Sequence, residues 1–127
     1  MPLAYRIDPA SRIVTITGDY AVAAEWRELL ATVGADRDYR RGFNFVRDLR
    51  ESAHPVDAQA VTSILAVVKG AWDVLGVHRA AIVTRRGIDL PASVAHALAE
   101  LEGIPLRAFS SYEEAVKWLK ENLSVGE

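Results

Sequence analysis

The side chains best able to do chemistry gather in a few short stretches. Asp48, Arg50, Ser52, His54 and Asp57 fall within ten residues, and Arg85-Arg86-Gly87 and Ser110-Ser111 stand further on. His54 beside Asp57 has the residue types of a base and its orienting acid. Catalysis would also need Ser52, the hydroxyl nearest in sequence, within hydrogen-bond reach. A histidine before a proline reads more plainly as a turn residue, so no catalytic residue is assigned and the chain is not expected to be an enzyme. Asp48 with Arg50 can orient a ligand or a partner's arginine, or can simply cap the backbone of its own loop. Arg85 and Arg86 precede an expected helix N-terminus, whose free amides and dipole favour an anion; the plainer reading is a solvated or acid-paired surface loop. The candidate interaction or ligand-binding residues are thus Asp48, Arg50, Ser52, His54, Asp57, Arg85 and Arg86. His78 and His96 lack a second histidine at helical spacing or a cluster of acids, so no metal site is expected. No phosphate loop, nucleophile elbow or dinucleotide fingerprint occurs, and no cofactor is expected.

Hydrophobic spacing defines the elements that must position these groups. Leu3, Tyr5 and Ile7 alternate with Ala4, Arg6 and Asp8, the period of a half-buried strand over 3–8. Asp8-Pro9-Ala10-Ser11 then turns the chain into a second, antiparallel strand over 12–17. After Gly18 the period changes: Val22, Trp26, Leu29, Leu30 and Val33 form the stripe of an amphipathic helix that stops near Gly34. A third strand spans 43–49. A second helix begins near Pro55 or Asp57 and runs to Leu75, with Ala60, Val67, Ala71 and Val74 widening its apolar stripe into a well-buried face. The fourth strand, 79–84, carries the unbroken apolar run Ala80-Ala81-Ile82-Val83 of a strand covered on both faces. Asp89 and Pro91 open a third helix ending at Gly103, and a fifth strand covers 105–109. Ser111-Tyr112-Glu113-Glu114 is a capping box for the last helix.

The order is ββαβαβαβα, which gives one α/β domain over 1–127 with a five-stranded mixed sheet and about four helices. Right-handed crossovers between sequence-adjacent strands put their helices on one face, so the expected architecture is a two-layer sandwich. Its open face would carry Arg6, Asp8, Thr15 and Thr17. A homodimer would cover part of that face. Trp26, Trp72 and Trp118 each lie on or beside a helix stripe, where core aromatics belong.

Composition narrows the function classes. The 127 residues are 50% apolar and 25% charged, ordinary globular usage. The absence of cysteine excludes disulfides, thiolate metal sites and a cysteine nucleophile, and it suits a reducing compartment, so a cytoplasmic protein is expected. No charged leader precedes an apolar run at the start and no long apolar stretch occurs, so no membrane insertion is expected. A formal net charge of -2 gives no general attraction to nucleic acid.

With the opening hairpin, a strand ending in Asp48-Leu49-Arg50 and the terminal run over 105–119, the chain resembles the STAS domain, the fold of bacterial anti-anti-sigma factors. It is still more similar to uncharacterised bacterial STAS-like proteins. In anti-anti-sigma factors the turn after that aspartate looks like Asp-Ser-Ser-Gly and carries the phosphorylated serine. Here it reads Glu51-Ser52-Ala53-His54-Pro55, with no serine at the expected helix start and no glycine after it. The resemblance implies a non-enzymatic regulatory or protein-interaction domain, its protein partner met by the 48–57 loop and the start of the second helix. The alternative is a carrier for a lipid or anionic metabolite held near Arg50, Arg85 and Arg86.

Overall fold

The computed structural model describes residues 3–18, 23–50, 58–84, 103 and 105–125, together with their side chains except those of 58–62, 64, 65 and 122–125. Strands β1 (Ala4–Asp8) and β2 (Ile13–Thr17) pair antiparallel, closing at Asp8 opposite Ile13. The Asp8 carboxylate accepts the Ala10 amide at 3.1 Å and so fixes the turn that its type and the following proline dictate. Helix α1 (Ala23–Ala35), β3 (Asn44–Asp48), α2 (Ala58–Leu75), β4 (Ala80–Val83), β5 (Leu106–Phe109) and α3 (Tyr112–Val125) follow. The sheet order is β1-β2-β3-β4-β5, with every pair after the hairpin parallel. Five strands and an α/β layout thus agree with the hydrophobic periodicity. The helix expected from Asp89 to Gly103 lies, apart from Gly103, outside the described residues.

Successive strand residues point to opposite faces, and both faces are apolar. Val14, Ile16, Phe45, Ala80 and Ile82 meet α1 through Trp26, Leu30 and Val33, and meet α2 through Leu75, with Val68 and Trp72 partly buried beside it. The two helices pack so closely that a Cβ added to Gly34 would lie 2.9 Å from Leu75 Cδ2. Ile13, Val46, Ala81 and Val83 point the other way, onto Ala115 and Leu119 of α3.

The two-layer expectation is therefore corrected: α3 covers the face that was expected to be open. The handedness rule governs crossovers between parallel strands, and α3 follows the last strand, so it is free to take the other side. Burial drives it there. Leu119 is completely enclosed, worth about 2 kcal/mol relative to exposure. Thr15, expected in solvent, is only 4% exposed beneath this helix, whereas Arg6 and Asp8 at the sheet edge are exposed. Val74, read as part of the buried stripe of α2, is 75% exposed.

Candidate functional site

Two regions merit description, the carboxyl ends of the strands and the outer seam between α1 and α2. At the first, Asp48 ends β3 on the α3 side of the sheet. Its Oδ1 accepts Arg50 Nε at 2.9 Å and its Oδ2 accepts Arg50 Nη2 at 2.8 Å. Oδ1 also takes the Arg50 backbone amide at 3.1 Å, the short-range turn bond open to an aspartate. The guanidinium lies 5.2 Å from the Tyr112 ring centroid, and the Tyr112 hydroxyl shares a 3.2 Å hydrogen bond with Thr15 Oγ1. A chain of contacts thus runs from the exit of β3 through the first residue of α3 to β2. The Arg50 hydrogen bonds hold the Asp48 carboxyl below the usual carboxylate range, against partial burial that pushes it up.

This arrangement consumes Asp48 within its own loop, so the capping role carries its geometry. Arg50 is held by Asp48 on the α3 side. Ser111 is likewise spent on α3, its Oγ accepting the Glu114 amide at 3.3 Å in the expected capping interaction. Ser52, His54, Asp57, Arg85 and Arg86 lie outside the described residues. Among the described residues no group of three or more metal-ligating side chains occurs, and no helix is long and apolar enough to cross a membrane.

The tryptophans pack into the core layers. Trp26 is buried under α1, Trp72 is half-buried against the same core, and Trp118 packs on the other face beside Phe109, with ring centroids 5.6 Å apart. Trp118 also carries two guanidinium groups, Arg79 at 4.4 Å and Arg107 at 5.5 Å from its centroid. Arg47 is a residue that sequence reasoning passed over. It sits 5.2 Å from the Trp26 centroid and donates to Gly18 O at 3.0 Å and Ile16 O at 3.3 Å, binding the end of β2 to α1. The signal was present in a cation directly after the mostly apolar run Phe43-Asn44-Phe45-Val46.

The second region was not foreseen. An open groove of about 1150 Å³ runs along the outer seam of α1 and α2. Its walls are small or apolar, chiefly Ala31 and Ala35 on α1 and Ser63, Ala66, Gly70 and Val74 on α2, and its floor is Leu30, Val67 and Leu75. Arg27, Arg40 and Arg41 stand along it, and among the described residues no aspartate or glutamate lines it. Arg41 Nη1 donates to Val74 O at 2.7 Å, placing a cation at the carbonyl end of α2, where the helix dipole favours it. Arg40 Nη1 donates to Arg37 O at 2.6 Å and Tyr39 O at 2.8 Å. Among the described residues no carboxylate pairs with any of the three. A Cβ added at Gly70 meets nothing within 4 Å, so this wall is open. No family model matches the sequence, and no curated protein is significantly similar to it.

Proposed function

We propose that this chain is a non-enzymatic, STAS-like protein-interaction domain, cytoplasmic as its lack of cysteine suggests. The STAS-like part of the reading is supported by the antiparallel opening hairpin, the parallel strands in sequence order and the Asp48 exit turn of β3. The interaction part rests on one observation, the apolar groove of α1 and α2 with Val74 three-quarters exposed beside it. The groove is concave, lined by small and apolar side chains and accessible from solvent, which gives another molecule a surface to dock against. The carrier alternative calls for a pocket that encloses most of its ligand. The α1–α2 groove is open along one side, which suits a partner that brings its own solvent-facing surface.

Native mass spectrometry of the purified protein tests the choice. The expected result is the mass of the polypeptide without an added small molecule. A co-purifying lipid or nucleotide moves the assignment to a carrier.

A further inference from the structure

We propose that the α1–α2 groove docks an acidic amphipathic helix of another protein, an inference that rests on the interaction-domain reading and names its partner's chemistry. Three features of the groove select this occupant.

The first is shape. Two helices packed side by side leave a furrow into which the side-chain ridge of a third helix fits, and small wall residues let the axes approach to the usual 8–10 Å. Ala31, Ala35, Ala66 and Gly70 are such residues, and they face the furrow from both sides. The second is openness. A helix lying in the groove presents its apolar stripe to Leu30, Val67 and Leu75 and keeps a polar face in water, whereas a bare acyl chain would stay wet along its outer side.

The third feature is charge. Arg27, Arg40 and Arg41 all line the groove, with no acid lining it among the described residues, in a chain whose net charge is -2. The basic rim is a local property and calls for carboxylates flanking the partner's apolar stripe. The same fact argues against a second copy docking through this face. A two-fold pairing sets each patch against itself, which would bring the arginines of both rims together with no carboxylate of the described lining between them.

The test uses the full chain and two designed peptides of about four helical turns, matched to the length of the groove walls. One has a leucine stripe flanked by glutamate, the other the same stripe flanked by lysine, and binding is followed by fluorescence anisotropy. The acidic peptide is expected to bind at least about tenfold more tightly than the basic one, with an advantage that shrinks as salt is raised. Gly70→Trp, placed where an added side chain has room, is expected to abolish binding while leaving the circular dichroism spectrum and Tm close to wild type. Arg27→Glu with Arg40→Glu is expected to invert the preference between the peptides.

Equal affinity for both peptides, lost together in Gly70→Trp, overturns the acidic partner but leaves the interaction domain standing. Binding of palmitate with neither peptide bound overturns both. A concentration-dependent dimer that Gly70→Trp converts to monomer replaces the foreign helix with a second copy. Acidic-peptide binding that Gly70→Trp leaves intact places the contact elsewhere and overturns the inference.

Discussion

Arg50 holds the Asp48 carboxylate with both ends of its guanidinium fork, Nε on Oδ1 at 2.9 Å and Nη2 on Oδ2 at 2.8 Å, while the Arg50 amide returns to Oδ1 at 3.1 Å. Two residues apart in sequence, they close a small ring that fixes how the chain leaves β3. The Arg50 guanidinium carbon lies 5.2 Å over the Tyr112 ring centroid, so the start of α3 is tied to this ring by a cation–π contact.

Asp48→Asn is therefore expected to lower stability at neutral pH by about 1 kcal/mol, the scale of a well-formed but partly solvated pair. Asp48 has a lower pKa folded than unfolded, through its Arg50 hydrogen bonds first. Its contribution is complete above the unfolded value near 4 and is lost as pH falls through the folded value. Urea titrations of wild type and Asp48→Asn should differ at pH 7 and converge under acid. A difference that persists unchanged at the lowest pH would show that the carboxylate charge does not supply the stability.

The enclosed Leu119 side chain makes α3 a structural layer. Leu119→Ala removes its contacts with the Val46, Ala81 and Val83 face of the sheet and is expected to cost about 2–5 kcal/mol, the range for a buried leucine that leaves a cavity. Chemical denaturation measures this directly. A cost below about 1 kcal/mol would mean that the sheet does not depend on α3 for cover.

The succession of elements was legible because period two and period 3.6 are distinct signals, and because Asp8-Pro9 and the Ser111 cap each carry a local mechanism that the structure uses. The side taken by α3 was not read, although the unbroken run Ala80-Ala81-Ile82-Val83 already called for cover on both faces. Handedness constrains crossovers between parallel strands alone, so for α3, which follows the last strand, the apolar run of β4 is the informative signal. The groove was illegible for a different reason. Ala66, Gly70 and Val74 have the composition of a buried helix face, and spacing alone does not distinguish an apolar stripe packed on the sheet from one left facing water. The Asp48–Arg50 ring lies between: the residues were singled out, but only geometry chose self-capping over recognition.

Tyr39 joins the floor of the groove to the end of α2. Its hydroxyl donates to Leu75 O at 2.7 Å in a buried position, and its ring packs edge-on to Phe43 at 5.4 Å. Tyr39→Phe keeps the ring and removes the donor, and is expected to cost about 1–2 kcal/mol at neutral pH. Burial pushes the phenol up to about 12, slightly opposed by Arg41. A folded pKa above the unfolded one means stability that is complete below the unfolded value near 10 and is lost as pH rises toward the folded value. The gap between wild type and Tyr39→Phe should close in alkali, the reverse of the Asp48 case. Denaturation at pH 7 and above pH 10 checks both halves.

The end of α2 depends on a conformation that only glycine adopts cheaply. Gly76 has φ of +66°, and its amide and that of Val77 both reach back to Trp72 O, at 2.9 and 3.2 Å, closing the last turn. Gly76→Ala is expected to cost about 1–2 kcal/mol for the left-handed backbone alone. A Cβ there would also meet the Arg41 guanidinium carbon at 2.8 Å and move that side chain off Val74 O. Arg41→Ala removes the same cation and should cost less, about 0.5 kcal/mol, because the backbone stays unstrained and the exposed carbonyl end turns to water. Thermal melts of the two single variants and the double variant separate these contributions. If the backbone dominates, Gly76→Ala remains costly in the Arg41→Ala background; if displacement of Arg41 dominates, the second substitution adds almost nothing.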